Sequence, residues 1–320
     1  MHANPVIMKE LRGRMRGWRA VVILVSYLLV LGFVTWLTFL AVGGASSGFG
    51  GPQASQIGKI IFSVLVIFQM VMVALLTPAF TAGAITSERE QKTYDLLMTT
   101  LLPARSVVFG KLGSALAWVA LLILAVAPLE SLAFLFGGVS PEEVVLSQVV
   151  MLAAALLFAS IGIFWSSLVR SSVASNVLTY GTILFQMVLL PFLYFLIVTI
   201  LGINDYSPYG GNRLSDQPGF WYTSGVVLSF HPIIALVISE TFYLMGHPLF
   251  IYTNDEILRG HTLLVVSPWL LFCIEALWLS AILIVLSIRN VKPIRYHRRA
   301  MDFVPPDRNI PPPENVSTLG

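Results

Sequence analysis

Apolar runs long enough to cross a bilayer recur six times along the chain, at 20–42, 60–82, 112–136, 144–169, 177–201 and 263–288. About 20 apolar residues span the hydrocarbon core, so each run predicts a transmembrane helix. The first carries no charge and follows Lys9, Arg12, Arg14, Arg16 and Arg19. A cleaved signal peptide is the competing reading. Its apolar region runs only to roughly 7–15 residues, so 20–42 is expected to stay as the first span. Pro78, Pro128 and Pro191 fall inside or at the ends of these runs, where neighbouring helices can satisfy the carbonyls they free. They predict kinks rather than breaks.

Residues 226–246 match a span in length but contain His231, Pro232 and Glu240. The basic residues decide against counting them. With six spans, sixteen of the nineteen Lys and Arg residues fall on one side, and Lys59, Arg213 and Arg259 lie opposite. That is the positive-inside distribution, and a seventh span would send the six cations of the tail across. The expected fold is therefore all-α and polytopic: six transmembrane helices, both termini cytoplasmic, and 226–246 as a re-entrant or interfacial element on the outer side. The inner side then holds sixteen cations and seven acids, the rest three cations and nine acids, an asymmetry that the formal net charge of +3 conceals.

Composition sharpens the class. Of 320 residues, 57% are hydrophobic and 11% charged, against roughly 25% charged in an ordinary soluble domain. The mean hydropathy of +0.84 agrees, and no length is left for a large soluble catalytic domain. Cys273 is the only cysteine, so an intrachain disulfide is impossible. Three parts are expected: a basic segment 1–19, a six-span transmembrane bundle 20–288 with an inner connection 83–111 and an outer segment 202–261, and a tail 289–320.

In the first part Asn4 and Pro5 suit a helix start, and Ile7, Leu11, Met15 and Trp18 recur at helical spacing. An interfacial amphipathic helix and a plain basic flank both fit. In the tail, Arg295, Arg298 and Arg299 belong with Arg289 and Lys292 to a cluster that precedes a Pro-rich stretch. Together with Arg12 and Arg16 they are expected to meet lipid headgroups. His231, His247 and His261 in the outer segment lack the close spacing of a metal site, so no metal is expected.

The connection 83–111 carries the functional signal. Ser87 and Glu90 have capping-box spacing, and Glu88 suits the positive end of a helix dipole. Tyr94, Leu97 and Leu101 then share a face before Pro103 ends the helix. Such a helix either docks a partner or rests on the membrane interface or the spans.

Ile85, Glu88, Arg89, Thr93, Leu96, Leu97, Thr99, Pro103, Gly110 and Lys111 together resemble the signature of the ABC-2 transporter permease family. Lys92 stands where that family usually has glycine. The six-span order and the opening NPVIMKELRGRMRG are similar to the family as well. The resemblance implies the membrane subunit of an ATP-driven transporter, commonly an exporter. It would pair with a second permease subunit, identical or related, and take its drive from cytosolic ATPase subunits through Glu88, Arg89, Thr93, Leu96, Leu97 and Thr99. No Gly-x-x-x-x-Gly-Lys-Ser/Thr run is present. The chain is thus expected to hold no cofactor of its own, with ATP and Mg bound by the partner.

Glu275 lies near the middle of the last span, where an ionised carboxylate costs a few kcal/mol unless paired, hydrated or protonated. It either lines the translocation path or subunit interface, or is a protonated group bonded to a carbonyl or hydroxyl. Glu130 is expected to reach interfacial water. Ala155, Ala159, Gly162 and Ser166 give the fourth span a small-residue face suited to packing within the chain. No nucleophile and base stand together for catalysis, and no nucleic-acid partner is implied. Two other readings stay open: a membrane anchor or scaffold in a larger complex, and a secondary transporter, which lacks an evident inverted repeat.

Overall fold

The computed structural model describes residues 17–45, 54–92, 103–204, 217–245, 250–254 and 263–291, with isolated positions at 8, 13 and 248. Six helices among them are long and apolar enough to cross a membrane. The protein is an all-α polytopic membrane protein. The first span is α1 (Trp18–Ala45) and the second α2 (Ala54–Thr81), followed by the short α3 (Thr86–Glu90). The third is α4 (Ala104–Ala125) with α5 (Ala127–Phe136), and the fourth α6 (Pro141–Leu168). The fifth runs through α7 (Ser172–Leu184), a π-helical turn (Phe185–Leu189) and α8 (Leu190–Asn204). After α9 (Pro218–Ser229), α10 (Pro232–Leu244), β1 (Ile251–Asn254) and β2 (Leu263–Val266), the sixth span is α11 (Pro268–Asn290).

In lipid there is no hydrophobic drive between helices, so close packing depends on small residues. The fourth span has them, and α6 is the centre of the bundle, packed against α2, α4, α7 and α11. Ala154, Ala155, Ala159, Ser160, Gly162 and Ser166 are all buried on it, beside Met151, Leu157, Phe158 and Ile163. A Cβ on Gly162 would run into Thr81 Oγ1 and lie 2.9 Å from Thr81 Cβ, so this glycine sets the α2–α6 approach. The small-residue face serves packing inside the chain.

The three prolines act differently. Around Pro78, the Leu75 carbonyl in the preceding turn accepts Tyr180 OH at 2.9 Å. Pro191 lacks the N–H that would bond Met187 O, and His231 Nε2 takes that carbonyl at 2.8 Å. His231 Nδ1 accepts the Ile234 N–H at 3.1 Å and so caps α10, which assigns the ring proton to Nε2. Gln186 Nε2 donates to Phe230 O at 2.9 Å, so the π-helical turn is fastened to the α9–α10 junction from both sides. Pro128, expected to kink its span, instead coincides with an interruption at Val126 that separates α4 from α5.

Other boundaries also differ from expectation. In the stretch 226–246 the described part, 226–245, belongs to two helices, broken at Phe230 and His231 where Pro232 starts α10. The sixth span begins at Pro268. Residues 263–266, placed by their apolarity in the span, form β2, which pairs antiparallel with β1 with Ile251 opposite Val266. The N-cap Ser267 of α11 has no side-chain cap; Ser239 Oγ of α10 accepts the Trp269 N–H at 3.0 Å in its place. Most of the segment 1–19, with Arg12 and Arg16, and the tail cations Arg295, Arg298 and Arg299 lie outside the described residues, while Trp18 and Arg19 already belong to α1.

Candidate functional site

The chain emerges from α2 at Thr81, turns through 82–85 and enters α3, one wedge of ten residues held by three neighbouring spans. The amides of a helix start need acceptors. Those of Ile85 and Thr86 donate to Ser166 Oγ on α6, at 2.8 and 3.1 Å. Ser175 Oγ on α7 donates to Ala82 O. Arg89 Nη1 donates to Val169 O, at the C-terminus of α6, at 3.1 Å, where a cation suits the helix dipole. Beneath α3, Ile85, Val108, Leu112, Ala159, Ile163 and Val291 form a buried cluster that joins α4, α6 and the end of α11 to the wedge.

Two carboxylates finish the junction. Glu88 Oε1 pairs with Lys111 Nζ on α4 at 2.7 Å, with the lysine side chain only 4% exposed. Glu90 receives the Ser172 N–H on Oε1 at 2.7 Å and the Ser172 hydroxyl on Oε2 at 2.8 Å, capping α7. These bonds, the backbone one foremost, hold the Glu90 carboxyl below the usual carboxylate range. The capping box expected at Ser87 and Glu90 is therefore absent. Ser87 lies inside α3, whose N-cap is Ile85 with no side-chain bond, because Glu90 turns outward to Ser172. A capping box forms instead at Ser140 and Glu143, which opens α6 and which the sequence reading missed.

The described part of this connection ends in a left-handed turn. Gln91 N–H bonds Ser87 O, and Lys92, at φ 58°, donates to Arg89 O. Position 92 is the residue after a helix C-cap that glycine normally fills, and here lysine adopts the same conformation with its Cβ strain. Lys92→Gly is expected to stabilise the fold by about 1 kcal/mol, read as a higher melting temperature in detergent; a lower one would contradict a strained turn. Thr93, Leu96, Leu97 and Thr99, with the rest of the expected partner-facing helix, lie outside the described residues.

The residues named from the sequence thus divide. Glu88 and Arg89 are brought to one junction, and Glu275 is elsewhere: its Oε1 lies 3.1 Å from Ser229 Oγ, at the end of α9, and its Oε2 is buried with no bonding partner among the described residues. The bonding roles of Ser166, Ser172 and Lys111 at this junction were not foreseen. The one available sign was a lysine at the head of an apolar run. Among the described residues, no three His, Cys, Asp or Glu side chains converge as metal ligands would.

The family profile described as ABC-2 family transporter protein matches residues 5–208, well over half of the chain. The chain belongs to the ABC-2 transporter family. It is a permease component of an ABC transporter, a membrane transport part and not a catalyst in its own right. The match takes in the first five spans and the whole 82–90 junction of this permease. No curated protein matches the permease.

Proposed function

We propose that this permease is the membrane subunit of an ABC exporter in the cell membrane, with both termini cytoplasmic, and that it is driven through the Glu88 junction by a separate ATPase subunit. The observation that carries the reading is the fastening of α3. A displacement of this one short helix would be delivered to α4 through Lys111, to α6 through Ser166 and Val169, and to α7 through Ser172 and Ser175. ATP and Mg would be bound by the partner. The positive-inside distribution puts the junction on the side where ATP is available.

A second permease subunit, identical or related, would complete the path. The first and fifth spans are the least buried in the single chain, and α1 carries an open groove lined by Val25, Leu28, Leu29, Gly32, Phe33 and Trp36. These faces are free for a second subunit or for lipid. The paired helices α9 and α10 would form a re-entrant outer element, with Glu275 lining the path or the subunit interface.

Purification of the tagged full chain from native membranes tests the reading. The expected result is a retained nucleotide-hydrolysing subunit with a Gly-x-x-x-x-Gly-Lys-Ser/Thr motif, and ATP-dependent transport when the complex is placed in vesicles. Leu97→Ala is expected to keep the subunit and its hydrolysis but lose transport. Recovery of a stable complex with no such subunit would leave a scaffold as the better account.

A further inference from the structure

A different part of the bundle holds a buried carboxyl that the proposed function does not use. Glu130 lies one turn beyond the interruption at Val126, in α5, and was expected to reach interfacial water. It is 1% exposed. Its depth along the span is near one end, but the start of α5 rotates the side chain inward against α6, where Gln148 Nε2 lies 2.7 and 2.8 Å from its two oxygens. A carboxyl removed from water needs a counter-charge, a cation or a proton.

Among the described residues no lysine, arginine or histidine pairs with Glu130. On the helices packed against α5, Lys59 of α2 acts on Glu143 and Glu240, and Lys111 of α4 is bonded to Glu88. Glu142 and Glu143 of α6 are acids. Among the described residues Gln148 of α6 bonds Glu130, and Tyr27 of α1 lies near enough for the carboxyl charge to act on its hydroxyl. Both are incompletely bonded: Gln148 Oε1 and Tyr27 Oη are buried with no partner among the described residues, and Tyr27 is 4% exposed.

We propose that Glu130 is a proton-binding site, completed by Gln148. With a proton taken from water onto one carboxyl oxygen and a small turn of the Gln148 amide, Glu130 O–H donates to Gln148 Oε1 and Gln148 Nε2–H donates to the other carboxyl oxygen. This closed acid–amide pair satisfies the amide oxygen that is otherwise left without a bond. When the proton leaves, the amide N–H groups remain as donors to the carboxylate, and the Tyr27 hydroxyl is a further free donor on that side. The two states hold the third span to the fourth differently, so the site couples proton occupancy to the α5–α6 contact. A metal cation fits less well, because the Gln148 group turned toward the carboxyl is its N–H donor.

Infrared difference spectroscopy on the full chain in lipid nanodiscs near neutral pH tests this directly. The wild type minus Glu130→Gln spectrum is expected to show the C=O stretch of a protonated carboxyl, and Gln148→Leu to shift that band toward an unpaired acid. Glu130→Gln preserves shape and can still pair with Gln148, so folding should survive. If it does not fold, the Gln148→Leu shift alone carries the test. A difference spectrum showing a carboxylate at Glu130, or a protonated band that neither variant moves, overturns the proposal. Since no ATPase is needed, its failure leaves the proposed function untouched.

Discussion

Gly162→Val is expected to lose both stability and transport, while Gly181→Ala does neither. The reason is what each new side chain meets. At Gly162 a Cβ runs into Thr81 Oγ1, lies 2.9 Å from Thr81 Cβ and 3.1 Å from the Ala82 backbone nitrogen. Rotation of Thr81 would relieve only the first of these, because Cβ and backbone cannot turn away. The α2–α6 crossing must therefore open, and overpacking of this kind costs about 1–3 kcal/mol. The displaced residues continue directly into the wedge, where Ala82 O is held by Ser175 and Ile85 N–H by Ser166. At Gly181, on α7, nothing lies within 4 Å, and alanine gains up to about 1 kcal/mol of helix propensity. Melting temperature in detergent and transport in vesicles are the two readouts. A Gly162→Val protein as stable as the wild type would show that α2 and α6 do not need this approach. Gly162→Ala should fall between, and Thr81→Ala should restore part of its loss.

The six spans were legible because lipid demands the same thing of every one: length and apolarity, both visible locally. Where a residue's fate depends on something distant, the sequence shows only what is possible. Ser-x-x-Glu occurs at 87–90 and at 140–143, yet only the second forms a capping box, since Glu90 is drawn to the amide of Ser172. The run LLVV at 263–266 is apolar enough for a span and β-branched enough for a strand. Pairing with 251–254 decides it, and local composition cannot. Glu130 was expected to reach interfacial water, but beyond the interruption at Val126 it is buried against Gln148, a distant partner that the local sequence does not show.

The candidate site was legible as a segment more than as a mechanism. Glu88 and Arg89 carry the family resemblance, but what they bond lies 23 and 80 residues away, at Lys111 and Val169. Lys92 is the reverse case. It stands where the family usually has glycine, and the left-handed turn is present with lysine in it. Glycine there is a matter of strain of roughly 1–2 kcal/mol, which surrounding bonds can override.

Removing either member of the Glu88–Lys111 pair is expected to destabilise the permease, and removing both to restore stability without restoring transport. In Glu88→Gln the ammonium of Lys111, 4% exposed, loses the carboxylate 2.7 Å away. Breaking a fully buried pair costs about 3–5 kcal/mol, and this half-buried one is expected to lose less than that. In Lys111→Met the carboxylate is left instead, but the Glu88 side chain is 27% exposed and water relieves part of the cost, so the loss is smaller. The double variant Glu88→Gln/Lys111→Met removes both charges, leaving an apolar side chain at the buried position 111 and an amide at the part-exposed position 88 that water can reach, so the desolvation penalty of a lone charge is gone. Stability alone therefore separates the singles from the double. Transport asks a different question. If the pair conveys movement of α3 to α4, the double variant stays at least about tenfold below wild type, a coupling loss of roughly 1.4 kcal/mol, with ATP hydrolysis retained by the complex. A double variant that both folds and transports as the wild type does would reduce the pair to a packing element, and the proposed coupling would be left with Ser166, Val169 and Ser172 alone.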